Sequence, residues 1–477
     1  MEVVKVHNII VDPVTRVSGL LSIEVQVENN NVVDAKACGN QFRGFEKMFE
    51  GRSPLDMIRL TPRICGICST HHALTSVRAL EDAMKINPDE NGRIIRDIAN
   101  GFEFIQNYLR WTYFFVFPDY LEIITVNPLF KTETPKVADY RLDKAITNKI
   151  NEDYVEAIRL SREAHKGLAV LTGKAPHSHG IWVGGITTNI DIPQIESCRY
   201  IITILKDFIV NKLIPDVEII AKAYSDYFKI GGGHGNLMSY GLYDNYAPPI
   251  RYSLPKVRIN GKEEDLDINN ITESVKYTWA VDNGQPLIPG KSNPASPDPT
   301  KQGAYSWINA PRYKGFAMEV GALARMTLSG EYKGGISTMD RILAKAYEAK
   351  RVCEITEELI KIAKLGKAVQ KEWQVPSKAL GVGLSEAERG SLAHWISIND
   401  KNVENYTVIP PSTWNISPKD DKGVRGTAEE ALIGTEIQDI TSPVEVGRIL
   451  RSFDPCLSCA AHVTSDRHKA VTINILA

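Results

Sequence analysis

The sequence predicts an α+β fold that is predominantly helical and forms one large domain. Four long segments repeat apolar residues at helical spacing, and they lie at 92–115, 150–172, 192–229 and 339–372. A segment near the N-terminus alternates apolar and polar residues, which indicates β-strands. Length alone suggests about three domains of ~150 residues. Because no linker or fixed-period repeat divides the 477 residues, we expect a single domain over 1–477.

The first elements are a hairpin and a helical region. Residues 8–38 alternate in polarity around a turn at Asn29-Asn30-Asn31, which predicts two paired strands. Thr75 to Met84 is rich in helix formers. The segment 92–115 is apolar enough to predict a long, mostly buried helix.

The later elements are less regular. Pro215 interrupts the periodicity of 192–229. Residues 245–315 are rich in Pro, Gly, Asn and Asp and contain short β-like runs at 250–259 and 277–281. Such composition predicts a surface-facing insertion. The last hundred residues alternate short strands, turns and short helices.

Composition and charge exclude several classes of protein. The chain is 43% hydrophobic and 24% charged, with a net charge of −2. It therefore has no basic surplus to favour nucleic acid or an anionic membrane as a partner. The N-terminal residues lack the layout of a secretory signal. No apolar stretch reaches the roughly 18 residues of a membrane span.

Four of the seven cysteines form two C-x-x-C pairs, Cys65 with Cys68 and Cys456 with Cys459. Four thiolates are a soft donor set that suits zinc, iron–sulfur or nickel. Spacing alone favours a structural zinc over a catalytic metal. Zinc sites usually gather both pairs within a few tens of residues, however. Because these pairs lie near opposite ends of the chain, they indicate a fold assembled around the metal.

A histidine follows each pair. His72 lies four residues after Cys68, so it shares a helix face with that sulfur, and His462 lies three residues after Cys459. A histidine N–H directed at a thiolate tunes the bound metal. Either histidine alone could be incidental, but the repetition favours a role. The other cysteines are expected to be inert core residues: Cys38, Cys198 and Cys353.

The residues around both pairs resemble the large subunits of nickel–iron hydrogenases. Arg63–His72 is similar to their motif R-x-C-G-x-C-x-x-x-H, and Asp454–His462 is similar to D-P-C-x-x-C-x-x-H. The likeness covers nearly the whole chain through further segments: Asp12–Arg16, Phe42–Glu46, Pro176–Gly180, Glu386–Gly390 and Pro411–Asn415. The resemblance implies a central bundle of long helices with small peripheral β-sheets.

The resemblance also implies the catalytic subunit of an oxidoreductase that interconverts H2 with two protons and two electrons, working in hydrogen uptake. By similarity, Cys65, Cys68, Cys456 and Cys459 hold nickel. Cys68 and Cys459 also bridge to an iron that carries one carbon monoxide and two cyanides. Soft thiolates stabilise several nickel oxidation states, and Cys459 is the sulfur expected to accept a proton.

Four further residues match the surroundings of this centre. By similarity, Arg389 overhangs the open metal position and polarises hydrogen, and Asp454 orients and balances that arginine. Ser412 would donate to a cyanide, and Leu392 would pack near the carbon monoxide. Without the resemblance, these residues read as a surface ion pair, a turn cap and core positions.

Glu46 and His462 match ligands of a buried magnesium in this family, a cation that prefers oxygen-rich surroundings. Taken alone, Glu46 reads as an ordinary solvated glutamate. His177 and His179 match a segment that faces the iron–sulfur partner, and core histidines are the alternative.

The chain has no cysteines left in an iron–sulfur pattern, so electrons must leave through another polypeptide. The resemblance implies an obligate heterodimer with an iron–sulfur small subunit, with a higher oligomer left open. It also implies nickel-insertion proteins and an endopeptidase that removes a tail, here 463–477, for which a permanent strand is the alternative. Membrane contact is expected only through the partner, and the compartment is either the cytoplasm or one reached by export with that partner.

Three positions depart from the family pattern. Ser18 stands where a glutamate usually relays the proton, and serine does not titrate near neutral pH. Asn107 stands where some relatives have aspartate, and Glu388 where proline is usual. These changes concern the proton exit and the shape or charge of the cavity rather than metal binding.

Two other classes compete with the hydrogenase hypothesis. One is a metal-free structural subunit of a respiratory-type complex, whose members have lost the four cysteines. The other is a scaffold stapled by zinc. Nickel with iron would support the enzyme, zinc alone the scaffold, and no metal the structural subunit. The presence of all four cysteines favours the enzyme.

Overall fold

The computed structural model describes residues 6–123 and 139–460, and its long helices overlap the segments in which the periodicity predicts them. They are α1 Phe45–Phe49, α2 Met57–Leu60, α3 Ser69–Met84, α4 Glu90–Arg110, α5 Lys144–Thr172, α6 Ile192–Phe208, α7 Ile214–Ala223, α8 Ala322–Leu328, α9 Thr338–Ile362, α10 Pro411–Asn415, α11 Thr427–Leu432, α12 Val444–Ser452 and α13 Leu457–Ala460.

The long helices form the predicted central bundle. α4 packs against both α5 and α9, and α6 and α7 also pack against α9. The side chains between them form the largest apolar cluster of the described residues, which includes Phe102, Leu168 and Cys353. α4 begins where the Asp89 carboxylate accepts a hydrogen bond from the Gly92 N–H at 2.9 Å, a common way to satisfy a free helical donor.

The strands form five small antiparallel sheets within the described residues. They are β1 Val6–Val11, β2 Leu21–Glu28, β3 Asn31–Gly39, β4 Ile181–Trp182, β5 Gly185–Ile190, β6 Leu237–Leu242, β7 Ser253–Ile259, β8 Lys262–Asp265, β9 Ile271–Ser274, β10 Ala310–Tyr313, β11 Gly366–Val369, β12 Lys378–Ala387, β13 Gly390–Asn399 and β14 Asn402–Ile409. The sheet orders are β1-β2-β3, β11-β5-β4, β6-β7-β8, β10-β9 and β12-β13-β14.

The predicted N-terminal hairpin is confirmed as β2 and β3. Asn29 and Asn30 form its turn with positive φ angles of 48° and 64°, a conformation that asparagine tolerates better than most residues. β1 adds a third strand by pairing with β2.

Two sequence predictions are corrected and a third is confirmed. The helix predicted over 339–372 ends at Ile362, because 366–369 pairs with β5 instead. The run at 277–281 forms only isolated bridges rather than a strand. The interruption predicted at Pro215 is present, since a π-helical turn at Ile209–Leu213 precedes this proline before the chain continues into α7. Such turns shift the hydrogen-bond register and so accommodate a missing N–H.

The sheet β12-β13-β14 packs against α3 through β12 and β13. Two glycines of β12 permit this contact, since a Cβ on Gly383 would lie 2.0 Å from the Thr75 carbonyl oxygen and one on Gly381 would lie 2.2 Å from that of Ala79. No helix within the described ranges combines the length and the apolar composition that a membrane span requires.

Candidate metal centre

The four paired cysteines meet in one buried cluster. Their sulfur atoms all lie within 4.8 Å of one another. The sulfurs of Cys68 and Cys459 are 3.1 Å apart, and those of Cys65 and Cys456 are 3.4 Å apart. The exposed fraction of each residue is 5% or less. The structure thus brings together the two pairs that the sequence places near opposite ends of the chain.

The cluster has the chemistry of a soft-metal site. Hydrogen bonds from the neighbouring sulfurs lower the pKa of Cys456 well below its usual value, while contact with Cys456 raises that of Cys68. Four thiols this close cannot all ionise without a compensating cation, and a bound metal supplies that charge. The donor set therefore fits nickel, zinc or iron.

An N-terminal segment holds the second pair in place. Ser18 and Cys456 form an isolated parallel β-bridge. Its N–H donates to the Pro455 carbonyl at 3.2 Å, and its carbonyl accepts from the Leu457 N–H at 2.6 Å. These bonds use the backbone of Ser18, so they do not depend on its side chain.

Gly19 and Arg43 complete this attachment. Gly19 has a φ of +84°, and a Cβ there would lie 2.6 Å from the Ser458 nitrogen, so only glycine fits. The Arg43 guanidinium donates to the carbonyl oxygens of both Ile64 and Ser458. One arginine therefore joins the two cysteine motifs, a role that the sequence did not reveal although its motif was noticed.

The first pair is positioned by α3. Cys65 is extended, and Cys68 is the residue that precedes the first turn of the helix. His72 lies one turn further on, and its backbone N–H donates to the Cys68 carbonyl at 3.3 Å. The predicted shared face of Cys68 and His72 is consistent with this geometry.

His72 belongs to a buried chain of polar groups. Its Nδ1 lies 3.1 Å from Nε2 of His394, whose Nδ1 lies 2.9 Å from the Tyr406 hydroxyl. Burial lowers the pKa of His72 to about 3, so the ring is neutral. Its Nε2 is buried without a hydrogen-bond partner in the described structure. If Tyr406 donates to His394 and His394 to His72, this Nε2 carries a proton that a metal-bound thiolate would accept.

Arg389 and Asp454 form the centre of a buried ion-pair network. The Arg389 Nε donates to the Asp454 carbonyl at 2.9 Å, and its Nη2 lies 3.0 Å from Asp454 Oδ1. The Lys345 ammonium lies 2.6 Å from Asp454 Oδ2 and 4.2 Å from the Trp111 ring. With its amide oriented to satisfy both neighbours, Asn107 donates to Asp454 Oδ2 at 3.2 Å and accepts from Arg389 Nη2 at 3.0 Å.

Glu388 and His71 extend this network and were not predicted as site residues. Glu388 Oε1 accepts from Arg389 Nη1 at 2.6 Å, and its Oε2 lies 2.6 Å from His71 Nε2. The glutamate and histidine side chains are fully buried. Burial acts to raise the pKa of Glu388, but the charges of His71 and Arg389 hold it below its usual value. The only sequence signal was that glutamate replaces the usual proline.

Ser412, Leu392 and Ser18 make separate contacts. Ser412 Oγ accepts a hydrogen bond from the Cys456 N–H at 2.8 Å, so its hydroxyl proton can serve another acceptor. Leu392 is buried in a core cluster that includes Ile64. The half-buried Ser18 donates to Ser458 Oγ over a long 3.4 Å.

A small cavity lies beside Glu46. Its volume is about 40 Å³, and Glu46, Glu273, Asn309 and Thr413 contribute to its lining. Glu46 accepts a hydrogen bond from the Val408 N–H at 2.8 Å. Burial, together with the charge of Glu273, raises the pKa of Glu46 to about 8. Two carboxylates with amide and hydroxyl oxygens fit a hard cation such as magnesium, and Glu273 is an acidic group that the sequence analysis missed.

Other predicted residues fall outside this geometry. His462 and 463–477 lie outside the described residues. His177 is half-buried and His179 exposed, and the His177 N–H donates to Ser69 Oγ at 2.8 Å. Away from the cluster, Cys198 and Cys353 are buried as expected, whereas Cys38 is only partly buried.

The fold and the buried four-cysteine cluster define a metalloprotein with a soft-metal centre, and comparisons with known proteins specify its class. A family model described as nickel-dependent hydrogenase matches residues 43–151, 129–335 and 331–462. The periplasmic NiFeSe hydrogenase large subunit of Desulfomicrobium baculatum is 34% identical, with 96% of this chain and 95% of that protein covered. The Hydrogenase-1 large chain of Escherichia coli is 31% identical, with 96% of both chains covered.

Solved structures agree with these relatives. The NiFeSe hydrogenase of D. vulgaris Hildenborough matches with a TM-score of 0.90 at 35% identity, covering 96% of this chain and 100% of that one. The chain therefore belongs to the nickel-dependent hydrogenase family. It is an oxidoreductase of the nickel–iron type, as the sequence motifs predicted, with four cysteines placed for metal binding.

Proposed function

We propose that this chain is the catalytic subunit of an uptake hydrogenase that oxidises H2 to two protons and passes two electrons to an iron–sulfur partner subunit. The observation that carries the proposal is the buried group of four sulfurs within 4.8 Å of one another. The name of a Rhodobacter capsulatus relative, the uptake hydrogenase large subunit, favours this direction; that protein is 30% identical and is covered over 95% of its length.

Cys65, Cys68, Cys456 and Cys459 would hold nickel, with Cys68 and Cys459 shared with an iron that carries carbon monoxide and two cyanides. When bound, this group supplies the redox-active site at which hydrogen is split. The unpartnered His72 Nε2 supports the assignment, since a buried donor is costly unless an acceptor faces it.

The residues around the cluster have separate tasks. Arg389 holds a positive charge beside the sulfurs, and the carboxylates of Asp454 and Glu388 fix its direction. A fixed cation stabilises developing negative charge without reorganising during the reaction. Ser412 accepts a hydrogen bond from the Cys456 N–H and can donate its own hydroxyl proton to a cyanide. Leu392 would keep one wall of the metal pocket apolar.

Glu46 would bind a magnesium ion together with His462. The oxygen-rich cavity beside Glu46 supports this role, because two neighbouring carboxylates with raised pKa values are stabilised as anions by a divalent cation. Glu273 would contribute a second charge to that site.

The partner is an iron–sulfur small subunit in an obligate heterodimer. The surface around His177 and His179 supports an electron exit there, because Ser69, which contacts His177, is next to Cys68 in the chain. We expect the interface to bury more than ~2,000 Å² in total, as permanent complexes do. The periplasmic relative favours export together with the partner, and maturation would remove 463–477 after nickel insertion.

Metal and infrared analysis of the anaerobically purified complex tests the proposal. We expect one nickel per catalytic chain with iron in excess of nickel, because the partner's iron–sulfur clusters also contribute iron, together with infrared bands of one carbon monoxide and two cyanides and H2-dependent dye reduction. Cys456→Ser should lose nickel, whereas Cys198→Ser, a buried cysteine outside the cluster, should retain it. Zinc as the sole metal would replace the proposal with the scaffold hypothesis.

A further inference from the structure

Glu388 occupies a position that the proposed reaction has not yet explained. It is fully buried, and it is the first of the two residues, Glu388 and Arg389, that form the turn between β12 and β13. A buried carboxylate is costly unless charged or hydrogen-bonding groups compensate it. Here one oxygen accepts a hydrogen bond from Arg389 Nη1 at 2.6 Å, and the other lies 2.6 Å from His71 Nε2 without hydrogen-bond alignment.

The contacts of Arg389 show why two carboxylates are needed. Asp454 meets the Nε and Nη2 side of the guanidinium, and Asn107 accepts from the same Nη2. Glu388 is the group that holds Nη1. Without it, the described contacts would leave the guanidinium fixed along one edge and free to tilt about that edge.

The charges support the same conclusion. Arg389 and Lys345 are two buried cations, and Asp454 is a single carboxylate bound to both. Asn107, which contacts both Asp454 and Arg389, is neutral. Glu388 therefore gives Arg389 a second carboxylate, so that Asp454 does not compensate both cations alone.

We propose that Glu388, supported from behind by His71, is a positioning residue that supplies the second carboxylate of the Arg389 clamp, in place of a carboxylate at Asn107. The inference rests on the proposed role of Arg389 in hydrogen oxidation. Glu388 acts through Arg389 and does not itself contact the metal.

The first test compares Glu388→Gln with Glu103→Gln in the purified, metal-loaded complex. Glu103 is a buried neighbour whose pKa is raised to about 8 by burial and by the charge of Glu388, so the amide replaces an acid that is mostly protonated at neutral pH. We expect Glu388→Gln to lower kcat at least about tenfold with little change in KM, since the clamp acts in the transition state. Glu103→Gln should stay within about twofold.

Two readouts separate positioning from general destabilisation. A crystal structure of Glu388→Gln should show the guanidinium displaced from its place beside Asp454, and the carbon monoxide and cyanide bands should shift while nickel content is unchanged. An unmoved guanidinium with kcat within about twofold of wild type would overturn the inference.

Moving the second carboxylate from position 388 to position 107 gives a sharper result. Asn107→Asp alone adds a third carboxylate at a position 3.2 Å from Asp454 Oδ2, so it should lower kcat. In the Glu388→Gln background the same substitution restores the charge balance and should raise kcat at least about threefold. An equal fractional effect in both backgrounds contradicts the clamp. Asn107→Asp alone also remains informative if Glu388→Gln does not fold, because an increase in its kcat would refute the argument.

Two measurements distinguish failure of the inference from failure of the proposed function. A metal-loaded wild-type complex without H2-dependent dye reduction would refute the proposed function. Full activity in Arg389→Lys would refute the role proposed for Arg389 and with it the clamp, because Glu388 would then have nothing to position. Loss of activity in Arg389→Lys with none in Glu388→Gln would refute the clamp alone.

Discussion

Replacing Ser18 by alanine tests how protons leave a centre that lacks the glutamate usual at this position. The substitution removes a single hydroxyl. The backbone bonds of Ser18 to Pro455 and Leu457 remain, so the second cysteine pair stays attached. Any loss of turnover then reports on the hydroxyl and not on the position of the metal.

The expected effect is small. The Ser18 hydroxyl makes one hydrogen bond, to Ser458 Oγ, at a long 3.4 Å. A typical hydrogen bond contributes only about 0.5–1.5 kcal/mol net, and a water molecule can replace a half-buried hydroxyl. Because ~1.4 kcal/mol of barrier corresponds to tenfold in rate, Ser18→Ala should lower turnover less than about tenfold.

The assay is H2 oxidation and proton–deuterium exchange, each normalised to bound nickel. Ser458→Ala is the matched control, because it removes the other partner of the same hydrogen bond and should have a similarly small effect. Ser18→Glu should keep or raise activity, since a carboxylate titrates where serine cannot. Loss of exchange in Ser18→Ala, with nickel and iron still bound, would show that the hydroxyl is an essential relay and refute the reasoning.

Three further predictions follow from single contacts. Ser412→Ala leaves the buried Cys456 N–H unpaired, which should lower the free energy of unfolding in denaturant by about 1–3 kcal/mol. Ser412→Thr keeps a hydroxyl and should retain most of this stability. Glu46→Gln should lower magnesium content but not nickel content by elemental analysis, because it removes an anionic ligand. Burial, and to a smaller extent the charge of Arg110, lower the pKa of His165 to about 4. An unfolded histidine titrates near pH 6.5, so the free energy of unfolding falls as the pH drops from 6.5 towards 4. His165→Gln should therefore reduce the difference between the free energies of unfolding measured at pH 7 and at pH 5.

The sequence predicted the helical bundle because periodic apolar residues identify a helix wherever its face is buried. The predictions that failed were decided by partners distant in the chain. Residues 366–369 leave the helical pattern because β5 offers them an edge to pair with. Local propensity carries no information about such a partner.

The same division holds for the metal centre. Two C-x-x-C pairs and their flanking motifs were sufficient to identify the four cysteines, since ligand type and spacing are local properties of the chain. The roles of Arg43, Lys345 and Glu273 were not accessible, because each acts on a segment far from its own.

By itself, the sequence determined the class of protein, the four cysteines of the cluster and the approximate positions of the long helices. Only the tertiary structure decided that Glu388 faces Arg389 on one side and His71 on the other. In the sequence, this residue was only a departure from the usual proline. Burying a carboxylate requires compensating charges from several segments at once, and those segments meet only when the chain is folded.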